Sequence, residues 1–464
     1  MNIPPAKSRR RSLAQLSSPP VILPDELVCE VLSFLTVKLL MRFRCVCKSW
    51  NALIDSPNFI KIHQKKSERN KQIIQIERDY SIESKYLIVN SCPIRGLMEN
   101  PLITHADKHY CRLTEDRLYV VGSCNGLVCL LGFNQLENWF YFYNPATRKV
   151  SEKLGSFTRT NRSNIAFGFD NSTDTYKVVE FCQMSRDVRV FSLGDNIWRN
   201  IQSFPNVFIP FKVGYNSCRG GVYLNGTLNW LVFRNDIIYD DSKNRMFEHY
   251  AIISLDLGIE TYTQLLPPRD SREVLLNEST ICVLMDCLCF CHLNFDMGTT
   301  NFVLWKMKNF GVEKCWSQFL NISNDNLQIR CSQFRKFSEF CSESCRWVFP
   351  LCHSENGDTL MLANCRAGQL ILYNWRTNKV ERIMTTTKRK RWVFRNNYVE
   401  SLVSTNGKIL WDSERDDGPF SFPYIFVISM VSFDRNRWPF TLPGLEGLRA
   451  LLMKTLLVGP TILY

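Results

Sequence analysis

The chain has 464 residues, 45% of them hydrophobic and 22% charged, with a formal net charge of +13. That is enough apolar material for one large core or two moderate ones, and it excludes a globally disordered chain. Residues 1–12 are polar and basic, with Lys7, Arg9, Arg10 and Arg11 and no apolar stretch, so no secretory signal is expected there. The 19 cysteines are scattered through apolar segments and are expected to be reduced thiols acting as small hydrophobes.

The basic charge is unevenly placed. Residues 1–72 hold 13 Lys/Arg against 5 Asp/Glu, a net +8, which leaves +5 for the other 392. So mild an imbalance over the long remainder offers no phosphate-tracking surface, and an acidic protein partner for the N-terminal region is expected in place of nucleic acid. Arg9-Arg10-Arg11 and Lys388-Arg389-Lys390-Arg391 have the composition of nuclear-import signals or of solvated loops, and the expected location is cytoplasm and/or nucleus.

Residues 1–20 are expected to be a disordered basic arm. From 21 to 66 the apolar positions fall at helical spacing, and three short helices are predicted. Pro24 suits the first helical position, Asp25 and Glu26 complement the dipole, and Leu27, Val28, Val31, Leu32, Phe34 and Leu35 form a wide apolar stripe. A second helix is predicted near 37–44, and a third carries Val46, Trp50, Leu53 and Ile54. Asp55-Ser56-Pro57 ends it, because the residue before proline is pushed out of the α region. A module of about forty residues with this many apolar positions cannot bury them all internally, so another protein is expected to cover some.

The run resembles an F-box. Leu23-Pro24, Glu26, Leu32, Leu35, Val37-Lys38, Leu40, Arg42-Phe43-Arg44-Cys45-Val46, Lys48-Ser49-Trp50, Pro57 and Phe59 fall at that family's spacing, with Thr36 where plant relatives usually have proline. The resemblance implies docking to a Skp-type adaptor, and through it to a cullin, within a ubiquitin ligase. It assigns that docking to Leu23, Pro24, Leu27, Leu39, Leu40, Arg42 and Phe43, and leaves Trp50 and Leu53 to the module's own packing.

After a polar stretch at 64–71 the pattern becomes strand-like. Residues 67–115 are expected as a linker with lead-in strands, 116–412 as a β domain, and 413–464 as a divergent C-terminal segment. Asn125-Gly126, Asn225-Gly226, Asn356-Gly357 and Asn406-Gly407 each precede an apolar run and signal type I′ hairpins. A strand, polar turn and strand recur at 140–154, 188–201, 251–268, 302–320 and 370–384. Repetition of antiparallel strands at roughly fifty to sixty-five residues is what radial β-architectures produce. The predicted fold is therefore mainly β with a small N-terminal α module, the β domain a propeller; a pair of β-sandwiches would use the same hairpins.

These stretches are similar to the F-box-associated domain of a large plant family often described with kelch-type proteins. The similarity rests on Ser123-Cys124-Asn125-Gly126-Leu127, Asn144-Pro145-Ala146-Thr147-Arg148, Phe167-Gly168-Phe169-Asp170, Asp174-Thr175-Tyr176-Lys177-Val178-Val179, Asn225-Gly226-Thr227-Leu228-Asn229-Trp230-Leu231 and Asn309-Phe310-Gly311-Val312. With the F-box it covers most of 21–412. It implies a domain that selects the protein to be ubiquitinated and works by proximity, supplying no catalytic residue.

Other chemistries find little support. Strand alternation puts Cys287, Cys289 and Cys291, beside His292, on one face, a poor tetrahedral set for zinc. Cys331, Cys341, Cys345, Cys352 and His353 lack paired CxxC knuckles, and there is no HExxH, phosphate-cradling glycine loop or GxSxG elbow. No metal, cofactor or enzymatic activity is expected. A competing class is a β domain that binds a carbohydrate or small ligand through exposed tryptophans among Trp139, Trp198, Trp230 and Trp305; a propeller-borne hydrolase would need carboxylates or histidines converging in a pocket. Residues 442–464 are apolar, but Glu446, Arg449, Lys454 and Gly459-Pro460 interrupt them. They suggest an amphipathic helix docked on the body over contact with a membrane.

Overall fold

The computed structural model describes residues 24–405 apart from internal stretches, the longest being 210–220, 235–243 and 328–347. The chain divides into two compact units, Met1–Leu32 with Asp412–Tyr464, and Ser33–Trp411. The expected basic arm and the C-terminal segment lie outside the described residues.

In the first unit, helix α1 spans Asp25–Leu32, with Asp25 and Glu26 in its first turn. In the second, α2 spans Val37–Phe43, α3 Lys48–Asp55 and α4 Pro57–Ser67. The last of these is a helix that sequence reading missed. Pro57 does end α3, but it also occupies the first turn of α4, where its missing N–H costs nothing. Ser56 serves both helices: its Oγ donates to Leu53 O at 2.8 Å and accepts from the Phe59 N–H at 3.2 Å.

Six sheets make up the described β structure, each with four core strands running from inner to outer. Blade 1 joins Val393–Tyr398, Gln72–Arg78, Tyr86–Pro93 and Asp107–Arg112, with α5 (Ile94–Glu99) between the last two. Blade 2 joins Leu118–Cys124, Leu127–Phe133, Glu137–Asn144 and the short Lys149–Val150, with Leu154–Thr158 along the same edge. Blade 3 is Ser163–Asp170, Thr175–Cys182, Val188–Ser192 and Ile197–Ile201. Blade 4 is Val222–Leu224, Thr227–Arg234, Tyr250–Asp256 and Tyr262–Leu265. Blade 5 is Thr280–Leu284, Cys287–Asp296, Thr299–Met307 and Trp316–Ser323. Blade 6 is Phe349–His353, Thr359–Asn364, Gln369–Asn374 and Lys379–Met384.

Consecutive blades meet through their inner strands, and the inner strand of blade 6 meets that of blade 1, which closes the ring. That closure decides for a six-bladed propeller over paired sandwiches. Residues 72–112 do more than lead in: they supply three strands of blade 1, and the fourth arrives from the far end of the chain. No local pattern marks such a pairing.

The repeated hairpins have a common cause. Asn125-Gly126 and Asn225-Gly226 both take positive φ (47° and 84°, 45° and 86°), as a type I′ turn requires. Met285-Asp286 makes the same turn in blade 5 (54° and 53°) without the expected dipeptide. Asn356-Gly357 sits in the corresponding connection of blade 6, but only Gly357 takes positive φ (75°), so this longer turn is not the expected I′; Asn406-Gly407 lies outside the described residues. The five recurring segments are the hairpins between third and outer strands. In blades 2, 4 and 6 an Asn or Asp oxygen accepts from two backbone N–H groups, at Ala146 and Thr147, Gly258 and Ile259, and Arg376 and Thr377. A left-handed residue follows at Arg148, Glu260 and Asn378. Middle strands are buried on both faces, so Glu137–Asn144 reads as a continuous apolar run and not an alternating one. Phe140, Phe142, Phe167, Phe191 and the half-buried Trp198 fill the space between blades 2 and 3.

Candidate functional site

Within α2, the 3.6-residue period sends Val37 and Leu40 to one face, and both are 0% exposed. Leu39 and Phe43, four residues apart, stay half-buried on a neighbouring stripe, and Arg42 is exposed. The expectation that Leu40 faces a partner is corrected: its side chain is consumed by the chain's own packing. On α1, Pro24 and Leu27 are exposed, Leu27 by 47%, while Leu23 lies outside the described residues. Five of the seven assigned residues therefore keep surface that a partner could cover.

Polar and aromatic contacts hold this stripe in place. Phe43 meets Trp50 of α3 edge to face, 5.6 Å between centroids. Arg44 donates through Nε to Asn51 Oδ1 at 2.9 Å and through Nη2 to Asp55 Oδ2 at 2.6 Å, tying the end of α2 to α3. Burial raises the Asp55 carboxyl pKa above the ordinary value, outweighing the attraction of Arg44. His63 on α4 is fully buried against Phe59 and donates through Nε2 to Leu35 O at 2.9 Å. Burial lowers the pKa of His63 and favours its neutral form. Beside it, the Lys66 ammonium sits 3.8 Å over the ring of exposed Phe34.

Helices α2 to α4 are joined to the propeller at the end where its inner strands finish. Glu400, just past the inner strand of blade 1, accepts from the Val37 N–H at 3.1 Å and from Gln72 Nε2 at 2.7 Å. Ile60 packs into the cluster of Cys124, Leu127, Phe142, Phe167 and Val403. Lys61 pairs with Asp174 in the first turn of blade 3, and Lys71, before blade 1, pairs with Asp286 in the first turn of blade 5 at 3.2 Å. An apolar plug flanked by polar ties makes these three helices and the propeller one packed body.

Phe167-Gly168-Phe169-Asp170 and Asp174-Thr175-Tyr176-Lys177 flank one turn that folds Asp170 and Lys177 together, a pairing that neither motif alone signals. Lys177 and Asp170, 4% and 1% exposed, form an ion pair at 2.6 Å. Lys177 also donates to Leu257 O of blade 4 at 2.6 Å and approaches Glu260, which pairs with Arg199. Asp170 accepts from the Ser172 N–H and from the hydroxyls of Ser172 and Thr173 at 2.6–2.8 Å. Desolvation opposes its ionisation, but these donors outweigh it and hold its pKa well below the usual carboxylate range. The cluster pins blade 3 to blade 4.

The tryptophans do not gather. Trp139 and Trp230 are 4% exposed and Trp198 and Trp305 are half-buried, each in a different blade and none on an inner strand. Cys289 and Cys291 are buried, Cys287 is half-buried, and Cys282 lies 3.7 Å from Cys291 as free thiols. Among the described residues no group of three or more His, Cys, Asp or Glu is arranged to hold a metal ion. Cys352 is buried and free and His353 half-buried, while Cys331, Cys341 and Cys345 lie outside the described residues.

A partly apolar helical face carried on a closed six-bladed ring defines a class of binding protein. The F-box domain model matches residues 22–62 and the F-box associated beta propeller domain model matches 75–405, so the chain belongs to the F-box proteins with an F-box associated propeller. An F-box/kelch-repeat protein of Arabidopsis thaliana is 30% identical over 315 residues, 65% of this chain and 79% of that one. The Arabidopsis F-box protein CPR1 is 25% identical over 325 residues, 65% and 73% of the two chains. The structure of TolB from Acinetobacter baumannii aligns with a TM-score of 0.39 and 9% identity over 69% of this chain and 66% of that one, a likeness that carries no functional weight.

Proposed function

We propose that this protein is the substrate-recognition adaptor of a Skp-cullin-F-box ubiquitin ligase. The F-box docks a Skp-type adaptor through Pro24, Leu27, Leu39, Arg42 and Phe43, and Leu23 extends that set. The propeller holds a target protein. Its contribution is proximity: tethering raises the effective concentration of target lysines near the ubiquitin-charged enzyme, with no catalytic residue from this chain.

The observation that carries this reading is the joint at Ile60 and Glu400. A flexible tether would leave the target's orientation undefined, whereas packed helices present it in a set direction. The working site is the cytoplasm and/or nucleus, where the cullin machinery would be met. The test is reconstitution with a purified Skp-type adaptor and cullin. Capture by the wild-type chain and loss with Leu39→Asp combined with Arg42→Glu supports the reading; equal capture by both overturns the docking assignment. Carbohydrate binding gains no support, because the tryptophans are dispersed and largely in the core.

A further inference from the structure

The helices occupy the end of the ring where inner strands finish. The opposite end, where they begin, carries a different surface on blade 2. Tyr119, second residue of that blade's inner strand, is 52% exposed and stacks on Phe133 with centroids 5.1 Å apart and planes 13° from parallel. Phe133 closes the second strand, and Leu136 in the turn beyond it is 75% exposed. Arg159, just after Leu154–Thr158, lays its guanidinium 4.6 Å from the Phe133 centroid. Its backbone N–H donates to Leu136 O and its Nη1 to Asn134 O, both at 2.9 Å.

The arrangement is built and not incidental. Asn134 Oδ1 accepts from the Leu136 and Glu137 N–H groups at 2.8 and 2.7 Å, which fixes the turn that displays Leu136. Arg159 is exposed and held over an aromatic ring, and among the described residues it has no carboxylate partner. Glu137, opposite Thr158 in the register, makes no ion pair with it. Tyr and Arg are the types that dominate binding energy at protein interfaces, and the exposed Leu136 beside them adds apolar surface to cover. An uncompensated cation at that spot selects a negatively charged neighbour.

Resting on the adaptor reading above, we propose that Tyr119, Leu136 and Arg159 anchor the target through a peptide segment in which a large apolar side chain stands next to an Asp or Glu. The apolar group covers Tyr119 and Leu136, and the carboxylate meets Arg159. Inner-strand residues advance about 3.3 Å each, so Tyr119 stands roughly 16 Å along the strand from Cys124 at the helical end. Target and adaptor can then be bound at once.

The test is selection of a random dodecapeptide phage library on the full chain held through its Skp-type adaptor. Enrichment of sequences pairing Leu, Phe, Tyr or Trp with Asp or Glu is expected. Peptides made from them should lose at least tenfold in affinity to Tyr119→Ala, Leu136→Asp and Arg159→Glu. Leu136→Asp lies on an exposed turn and keeps the test valid if Tyr119→Ala lowers the melting temperature. Enriched sequences that are basic, affinities that ignore all three substitutions, or no enrichment would overturn the proposal. Adaptor retention by each variant reports separately on the adaptor reading.

Discussion

The carboxylate of Glu400 accepts a hydrogen bond from the backbone N–H of Val37, 363 residues earlier in the chain, at 3.1 Å. Thr36 is the N-cap residue of α2, yet its side chain makes no capping bond. A residue from the propeller therefore supplies an acceptor to the first turn of the helix that carries Leu39, Arg42 and Phe43. Glu400→Ala leaves the Val37 N–H and Gln72 Nε2 without this partner, and a loss of about 1–3 kcal/mol is expected. Thermal melting reads the destabilisation, and weaker adaptor capture would show that the cap also orders the docking face. Unchanged melting would show that water replaces it.

Ile60 is 6% exposed in a core shared by helix and propeller. Ile60→Ala should destabilise the protein by about 2–4 kcal/mol, the usual range for truncating a buried aliphatic side chain. Urea unfolding followed by tryptophan fluorescence checks it, and a single transition would show the two parts unfolding together. Deleting 21–66 should for the same reason expose Phe142 and Leu127 and give a poorly soluble propeller.

Substitutions one residue apart on α2 should behave differently. Leu40→Asp buries a charge in a fully enclosed position and should unfold the helical region; Leu39→Asp should leave the circular dichroism spectrum intact while abolishing adaptor capture. A folded Leu40→Asp protein would contradict the assigned packing.

The Asp170–Lys177 pair predicts both a mutational and a pH effect. Lys177→Met leaves the Asp170 carboxylate buried without its cation and should cost about 3–5 kcal/mol, whereas joining it with Asp170→Leu should restore part of that. Because the folded-state pKa of Asp170 is depressed, its stabilisation is present above the unfolded value of about 3.9 and is lost as pH falls below it. Urea midpoints between pH 6 and pH 3 should fall more steeply for wild type than for Asp170→Asn.

His63 acts at milder acidity. Its folded pKa is lowered, chiefly by burial, so the unfolded chain takes up the proton first, and stability falls as pH drops through about 6.5 toward the folded value. His63→Gln should flatten the melting temperature between pH 7.5 and 5.5.

Local chemistry made much of this legible. Two of the four Asn-Gly dipeptides, at 125–126 and 225–226, marked I′ turns, and the five polar hairpins proved to be the outer edges of blades 2 to 6. Blade 1 had no such signal, because its inner strand and Gln72–Arg78 come from opposite ends of the chain. Helical spacing placed a helix near 37–44 but could not say that Val37 and Leu40 would be the face turned inward. Pro57 signalled a stop and hid a start. The pairing of Asp170 with Lys177 was invisible in the sequence because it depends on a turn folding back.

Ring closure also imposes an order on synthesis. Helices α1 to α4 leave the ribosome early, but the strand Val393–Tyr398 that completes blade 1, and Glu400 that caps α2, are among the last described residues made. A nascent or truncated chain carries α2 without its cap and blade 1 without its inner strand. Completion of blade 1 and capping of α2 thus fall at the same late stage of synthesis, so an unfinished propeller carries an uncapped α2.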